Sequence, residues 1–115
     1  MSKTLGDRGE RLAAEFLMRN GYEILEQNFR YDRAEIDLVV RKENTIVFCE
    51  VKTRKSNVFG VGEDAVDPKK RNQIRKAAEG YITGRGLEDH EFRFDVIVVD
   101  VAEHSTRIRV IEDAF

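Results

Sequence analysis

The residues best suited to chemistry are Asp37, Glu50 and Lys52, which fall on two neighbouring predicted strands. Side chains alternate between the two faces of a strand, so Glu50 and Lys52 share one face of the strand Thr45–Thr53. A two-residue loop at Glu43-Asn44 would place Asp37 opposite Glu50, with the side chains roughly 5 Å apart. Two facing carboxylates repel each other, and a divalent cation such as Mg²⁺, which prefers oxygen ligands, would neutralise them.

Lys52 would then lie beside the two acids, where an ammonium could steady a nucleophilic water or the growing charge of a phosphate. The alternative is an exposed sheet face with an ordinary Glu–Lys pair, and the charge pattern alone leaves both interpretations open. Val39 and Phe48 fall on the same face as the acids. These two apolar residues indicate that the face is partly covered. They favour a functional site, because a pair of carboxylates is not expected on a partly covered face unless it has a function.

Glu10 is a second candidate, at the margin of the apolar stripe of the first predicted helix. Asp7-x-x-Glu10 is also a capping box, in which Glu10 would reach back to the Asp7 amide, and the residues alone favour that interpretation. A third candidate is a basic cluster suited to sequence-independent phosphate contacts, although a run of charges is more often a solvated face. Its members are Arg54, Lys55, Lys69, Lys70 and Arg71. Lys70 and Arg71 flank an apolar stripe, so at least one should lean toward the sheet.

Hydrophobic periodicity and helix signals predict an α/β domain, residues 1–115, with a mixed sheet flanked by helices in the order α-β-β-β-α-β-β. In the second predicted strand, Ile36, Leu38 and Val40 should lie on the face opposite Asp37 and Val39. Asp67 should cap the second helix, with Pro68 in its first position and Gly84 and Gly86 at its end. The predicted helices are Asp7–Asn20 and one that begins at Pro68, whose apolar stripe consists of Ile74, Ala77, Ala78, Tyr81 and Ile82. The predicted extended segments are Tyr22–Arg30, Ala34–Arg41, Thr45–Thr53, a central strand Phe92–Val101 and an edge strand Arg107–Ile111. A loop is predicted at Ser56–Gly62.

Composition excludes several classes of protein. The chain has 115 residues and a net charge of −2, which argues against a binder that works by bulk positive charge. Cys49 is the single cysteine, and His90 and His104 stand apart, so a zinc site is not expected. The N-terminus shows no apolar signal segment, and the longest apolar run is far too short to span a bilayer. A reducing cytoplasm is therefore the expected compartment, with Cys49 a buried apolar residue and Asp95 structural.

Four motifs together resemble the uncharacterised bacterial YraN-like family: Gly9-Glu10, Asn28-Phe29-Arg30, Glu35-Ile36-Asp37-Leu38 and the stretch Phe48–Arg54. That family is similar to archaeal-type Holliday junction resolvases and to the restriction-endonuclease-like PD-(D/E)xK fold. The resemblance implies that Glu10, Asp37 and Glu50 hold Mg²⁺ or Mn²⁺ and that Lys52 is the catalytic lysine. For Glu10, the resemblance favours metal binding over the capping box that the residues alone favour.

Two positions depart from the pattern that the resemblance implies. Ile36 stands before Asp37, where the literal motif has Pro, and Ala34 stands where Gly is expected before Glu35. If that backbone required a positive φ, Ala would be costly there. The acids and the lysine are all present, so the motif is intact where the chemistry needs it.

The first hypothesis is a metal-dependent endonuclease or resolvase-like enzyme that hydrolyses DNA phosphodiester bonds, with branched and single-stranded DNA among its candidate substrates. Two paired cuts would require two sites and hence a homodimer. The alternative is a non-catalytic module of the same fold that binds nucleic acid or a repair partner. A plain structural domain is the third interpretation, and it predicts that neither DNA nor metal binds.

Overall fold

The computed structural model describes residues 4–55 and 66–115, which form a five-stranded mixed sheet with one helix packed on each face. The predicted order α-β-β-β-α-β-β is confirmed. The predicted loop Ser56–Gly62 lies outside the described residues. The elements are α1 (Leu5–Arg19), β1 (Glu23–Tyr31), β2 (Ala34–Lys42), β3 (Thr45–Lys55), α2 (Pro68–Arg85), β4 (Glu91–Val101) and β5 (Thr106–Ile111).

The strands follow one another across the sheet in chain order, β1-β2-β3-β4-β5. Neighbours are antiparallel except β3 and β4, which are parallel along their whole length from Thr45↔Glu91 to Lys55↔Val101. A parallel pair needs a crossover connection, and α2 belongs to that connection. As predicted, β4 lies inside the sheet and β5 lies at its edge.

Two apolar clusters lie on opposite faces of the sheet, because successive side chains of a strand point to opposite sides. In β3, Phe48 belongs to the cluster under α2, whereas Cys49 belongs to the cluster under α1. In β4, Val96 and Val98 face α2, whereas Ile97 and Val99 face α1. Both central strands are therefore buried on both sides, which explains their nearly continuous apolar sequence.

The predicted alternation in β2 is wrong on the N-terminal side of Asp37. Ile36 packs in the α2 cluster together with Val39, whereas Leu38 and Val40 pack under α1. Ile36 and Val39 are three residues apart, so regular alternation breaks between them. The break coincides with the end of the backbone ladder to β3, whose last pair is Leu38↔Cys49. Beyond it, the side chain of Asp37 takes over the bonding to β3.

The ends of the helices correct two expectations. In α1 the cap is Thr4, whose hydroxyl accepts a hydrogen bond from the Asp7 amide at 3.1 Å. The capping box proposed for Glu10 is therefore wrong, and this acid is left for another role. In α2, Asp67 is the cap as predicted, but the helix continues through Gly84 and ends at Gly86, which has φ 65°. Among the described residues, no helix is long and apolar enough to cross a membrane.

Candidate metal and nucleic-acid site

The sequence-predicted pair Asp37 and Glu50 is brought together on neighbouring strands. The hairpin register runs from Lys42↔Thr45 to Leu38↔Cys49, so the next residues on the two strands are Asp37 and Glu50. Both acids are buried, with exposed fractions of 8% for Asp37 and 5% for Glu50. Oδ2 of Asp37 accepts a hydrogen bond from the backbone amide of Val51 at 2.7 Å. This bond fixes the carboxylate of Asp37 against β3.

The two buried carboxyl groups perturb each other. Burial, and then the charge of Glu50, raises the pKa of Asp37 to about 7. Oε2 of Glu50 is buried without a hydrogen-bond partner among the described residues. An uncompensated buried oxygen of this kind is unfavourable in a protein interior, so the pair favours the binding of a proton or of a cation.

Lys70 of α2 contacts the acid pair directly. Its Nζ lies 2.6 Å from Oε1 of Glu50, and its side chain remains 49% exposed while that of Glu50 is 6% exposed. Burial would lower the pKa of Lys70, but the hydrogen bond and charge of Glu50 raise it above its ordinary value. At least one of Lys70 and Arg71 is expected to lean toward the sheet, and Lys70 does so. Arg71 instead donates from Nε to the carbonyl of Val66 at 2.7 Å.

Glu10 reaches the edge of the site because α1 lies close against β3. Gly9 faces Thr53, and a Cβ on Gly9 would overlap the side chain of that threonine. The next residue, Glu10, is near enough to Asp37 and Glu50 for its charge to act on both. Burial, then the charges of Glu35 and Asp7, raises the pKa of Glu10. Because Gly9 has no side chain, α1 can lie close against Thr53 of β3. This close approach explains how Glu10, on the helix that covers the other face, reaches this end of the sheet.

Asn28 of β1 holds the outer acids, a role that sequence reasoning missed. With its amide nitrogen turned toward them, Asn28 donates to Oε1 of Glu10 at 2.8 Å and to Oε1 of Glu35 at 3.3 Å. Its φ is 54°, a left-handed conformation that Asn tolerates better than most residues. The signal in the sequence was a lone Asn inside a predicted strand, where Asn is uncommon.

The lysine predicted to be catalytic stands two residues beyond Glu50 on β3. Lys52 pairs with Val98 and Glu50 pairs with Val96 on the parallel strand β4. Both valines belong to the α2 cluster, so Glu50 and Lys52 share one face of the sheet as predicted, and that face is the one under α2. Lys52 is half-buried, which limits the directions that its ammonium can take.

The remaining predicted phosphate-binding residues differ in their surroundings. Arg54 is mostly buried and lies 3.7 Å from a carboxylate oxygen of Asp100, so part of its charge is already compensated. Lys55 and Lys69 are exposed. Lys69 stands in the first turn of α2, where its backbone amide is bonded to the cap Asp67 at 2.8 Å. Its side chain is therefore placed beside the site and open to solvent.

A cleft of about 480 Å³ opens beside the acid pair, between β2 and the first turns of α2. It brings the acids Glu35 and Asp37 together with the ammonium groups of Lys69 and Lys70. The other lining residues are Arg33, Ala34, Asp67, Gln73 and Ile74. Because the cleft is lined by both acids and lysines, it suits a ligand that combines a cation with an anion.

The acid pair fits a divalent cation. Mg²⁺ is commonly held by one or two carboxylates, with water and substrate phosphate completing its shell. Asp37 and the unpartnered Oε2 of Glu50 supply that minimum. Within residues 4–55 and 66–115, no three acidic, histidine or cysteine side chains converge as a ready ligand group. Glu10 therefore lies near the pair without completing a three-acid set.

Two other polar groups are structural, as predicted. Asp95 is buried and bonded to Nε of Arg93 at 2.9 Å and to the amide of Asp113 at 3.1 Å. Cys49 is buried on the α1 side of the sheet, away from Glu50, and burial raises the pKa of its thiol. Neither group opens onto the cleft that borders the acid pair.

Comparison with known proteins places the whole site inside one region of similarity. A sequence model described as "Uncharacterised protein family UPF0102" matches residues 9–99. A UPF0102 protein of Caldicellulosiruptor bescii is 46% identical, covering 98% of this chain and 98% of that protein. One of Christiangramia forsetii is 44% identical, covering 96% and 92%. One of Chlorobium phaeobacteroides is 48% identical, covering 83% and 75%.

Proposed function

This chain belongs to the uncharacterised protein family UPF0102, and we propose that it is a Mg²⁺- or Mn²⁺-dependent endonuclease acting on DNA phosphodiester bonds. The family membership confirms the resemblance that the motifs indicated. The activity rests on the site and on the nuclease-like pattern of its residues.

One observation carries the proposal: two acids are buried near enough for the charge of Glu50 to raise the pKa of Asp37, and an oxygen of Glu50 has no donor among the described residues. Like charges in a poorly solvated place destabilise the folded chain. Such an arrangement is typical of sites where chemistry rather than stability selects the residues. Asp37 is also anchored by the amide of Val51, so the pair is held in place despite its repulsion.

The chain's residues divide the work of hydrolysis. Asp37 and Glu50 would hold the cation, with Glu10 at the edge of the site, and Lys52 would orient the attacking water. When bound, a divalent cation lowers the pKa of water and stabilises charge on a phosphoryl oxygen. The exposed Lys55 and Lys69 would contact the DNA backbone, where each ammonium contributes affinity that does not depend on sequence.

Metal binding is tested by titrating Mn²⁺ calorimetrically into the wild type, Asp37→Asn and Glu79→Gln. Glu79 is an exposed acid of α2, so its substitution removes the same charge without touching the pair. We expect the wild type and Glu79→Gln to bind Mn²⁺ alike and Asp37→Asn to lose at least tenfold in affinity, which is about 1.4 kcal/mol. Equal affinity of all three proteins would remove the acid pair from the proposal.

Cleavage is tested on branched, flapped, single-stranded and duplex DNA with Mg²⁺ or Mn²⁺. We expect cutting by the wild type and by Glu79→Gln, and losses of at least a hundredfold in Asp37→Asn and Lys52→Met. Activity that persists unchanged in both site variants would come from a contaminant or from another site. If the products show paired cuts, sedimentation should find a homodimer, since two cuts need two sites.

The ion pair between Lys70 and Glu50 also supports a second candidate, a non-catalytic module that binds DNA or a repair partner. In that case Lys70 would take the place of a cation permanently. The Mn²⁺ titration separates the two, because the second candidate predicts retained DNA affinity without Mn²⁺ uptake at millimolar concentrations.

A further inference from the structure

We propose that Lys70 is a displaceable counter-ion: it neutralises Glu50 in the metal-free protein and gives this carboxylate up when a divalent cation binds. The inference rests on the proposed function, because it presumes that the acid pair is the metal site. It adds a residue from α2 that the metal-ligand and catalytic-lysine pattern does not contain.

The contacts of Lys70 define what it does without metal. Its Nζ is 2.6 Å from Oε1 of Glu50, the short distance of a charge-assisted hydrogen bond. The other oxygen of Glu50 has no partner among the described residues. Lys70 thus neutralises the charge of Glu50 through one oxygen and leaves the other oxygen without a donor among the described residues.

A divalent cation and the ammonium cannot both use this carboxylate fully. A cation held between Asp37 and Glu50 would lie within a few ångströms of Nζ, and like charges at such distances repel strongly where water is sparse. Glu50 is 6% exposed whereas the side chain of Lys70 is 49% exposed. The lysine can therefore move into solvent, while the carboxylate cannot.

The cleft provides the place to which Lys70 would move. Lys70 and Lys69 both line it, together with the acids Asp37 and Glu35. A released ammonium would lie next to Lys69, on the side from which a phosphodiester must reach the cation. The exchange would thus move positive charge from the protein's own carboxylate to the anionic substrate.

The competition is tested by measuring Mn²⁺ affinity calorimetrically, without DNA, for the wild type, Lys70→Met and Lys76→Met. Lys76→Met is the matched control, because Lys76 is an exposed lysine of the same helix that does not line the cleft. We expect Lys70→Met to bind Mn²⁺ about tenfold to a hundredfold more tightly, the range set by losing one charge-assisted hydrogen bond. Lys76→Met should change the affinity by less than about twofold, because exposed charges are screened.

Lys70→Met leaves Glu50 buried without a counter-ion, so its folding is followed by thermal melting in EDTA and in Mn²⁺. We expect a lower melting temperature than the wild type in EDTA and a larger rise on adding Mn²⁺. Lys70→Gln, which keeps a hydrogen-bond donor but loses the charge, should also bind Mn²⁺ more tightly and serves if Lys70→Met does not fold.

The outcomes separate this inference from the proposed function. If the wild type binds Mn²⁺ and neither Lys70 variant binds it more tightly than Lys76→Met does, the counter-ion role is wrong and the metal site stands. If neither the wild type nor a folded Lys70 variant binds Mn²⁺, the metal site itself is wrong and the counter-ion role falls with it. Binding seen only in the Lys70 variants would support both.

Discussion

The backbone amide of Val51 donates to Oδ2 of Asp37 at 2.7 Å, where the backbone ladder between β2 and β3 has already ended. The carboxylate of Asp37 therefore has a structural bond and a repulsive neighbour at once. Substitutions at this position can separate the two effects, because Asn keeps an acceptor for the amide and Ala does not.

Asp37→Asn should raise the free energy of unfolding of the metal-free protein near neutral pH by roughly 1–3 kcal/mol, because it removes a buried charge beside Glu50. Asp37→Ala should be less stable than Asp37→Asn by roughly 1–3 kcal/mol, since it leaves the Val51 amide without its acceptor. Urea denaturation in EDTA measures both differences. A destabilised Asp37→Asn would show that the acid pair is not repulsive in the folded chain.

The stability of the metal-free protein should fall as the pH rises from about 4 to about 7. Burial and Glu50 raise the pKa of Asp37 to about 7 in the folded state, whereas an unfolded Asp titrates near roughly 3.9. Between these values the folded chain holds a proton that the unfolded chain has lost, so stability is fully present below the lower pKa and is lost as the pH passes the higher one. The raised pKa of Glu10 acts in the same direction.

Urea denaturation in EDTA across this pH range measures the slope, and the same series on Asp37→Asn should give a flatter one. Mn²⁺ should reverse the trend in the wild type, because it binds the ionised acids and stabilises the folded chain most at the upper end of the range. Identical slopes for the wild type and Asp37→Asn without metal would assign the titration to other groups.

Gly9→Ala should destabilise the protein by about 1–3 kcal/mol, the usual cost of overpacking. A methyl group at Gly9 overlaps the side chain of Thr53, which outweighs the gain of up to about 1 kcal/mol from replacing Gly in a helix. Gly84→Ala is the matched control, because nothing lies within 4 Å of its Cβ position and it should be neutral or stabilising. Thermal melting compares them. Thr53→Ala should restore part of the loss in Gly9→Ala, and no restoration would place the strain elsewhere.

Asn28→Gly should weaken Mn²⁺ binding several-fold with a small effect on folding, because Gly accepts the φ of 54° while losing the amide that holds Glu10 and Glu35. Asn28→Ala should lose the same contacts and also cost about 1 kcal/mol or more in backbone strain. Calorimetry and thermal melting on both variants separate the effect of losing the side-chain amide from the effect of backbone strain. Unchanged Mn²⁺ affinity in both would confine Asn28 to a role in folding.

Lys69→Met should weaken DNA binding in Ca²⁺ by a similar factor for all sequences and reduce the slope of log affinity against log salt by about 0.9 for duplex DNA. The reason is that Lys69 is exposed at the mouth of the cleft and would contribute one phosphate contact. Fluorescence anisotropy at several salt concentrations measures the slope. If the slope stays at the wild-type value, Lys69 does not contact phosphate.

The sequence predicts most of this architecture because the deciding signals are local. The loop at Glu43-Asn44 fixes the hairpin register that leads to Asp37 and Glu50, and Asp67-Pro68 begins α2 as its capping chemistry requires. Thr4 was missed as the cap of α1 because Asp7 is an equally good capping residue type.

The partners that come from distant elements could not be found in the same way. Asn28 reaches Glu10 only because its φ is positive, which the residue type allows but does not require. Lys70 and Glu50 are twenty positions apart and meet through the approach of a helix to a strand. Periodicity showed that Lys70 flanks the buried stripe of α2, but which carboxylate it meets depends on the packing of α2 on the sheet.

The site has no counterpart in any short fragment of the chain, because its members come from α1, β1, β2, β3 and α2. A nascent chain that ends after β3 already carries all the acids, but it lacks both Lys70 and the strand β4 that buries β3 on its other edge. By the counter-ion role proposed above, such a chain would hold the acids without the lysine that competes for Glu50 and without the strand that completes the sheet around them. Control of metal binding would therefore begin only when the chain beyond β3 has been made and has folded.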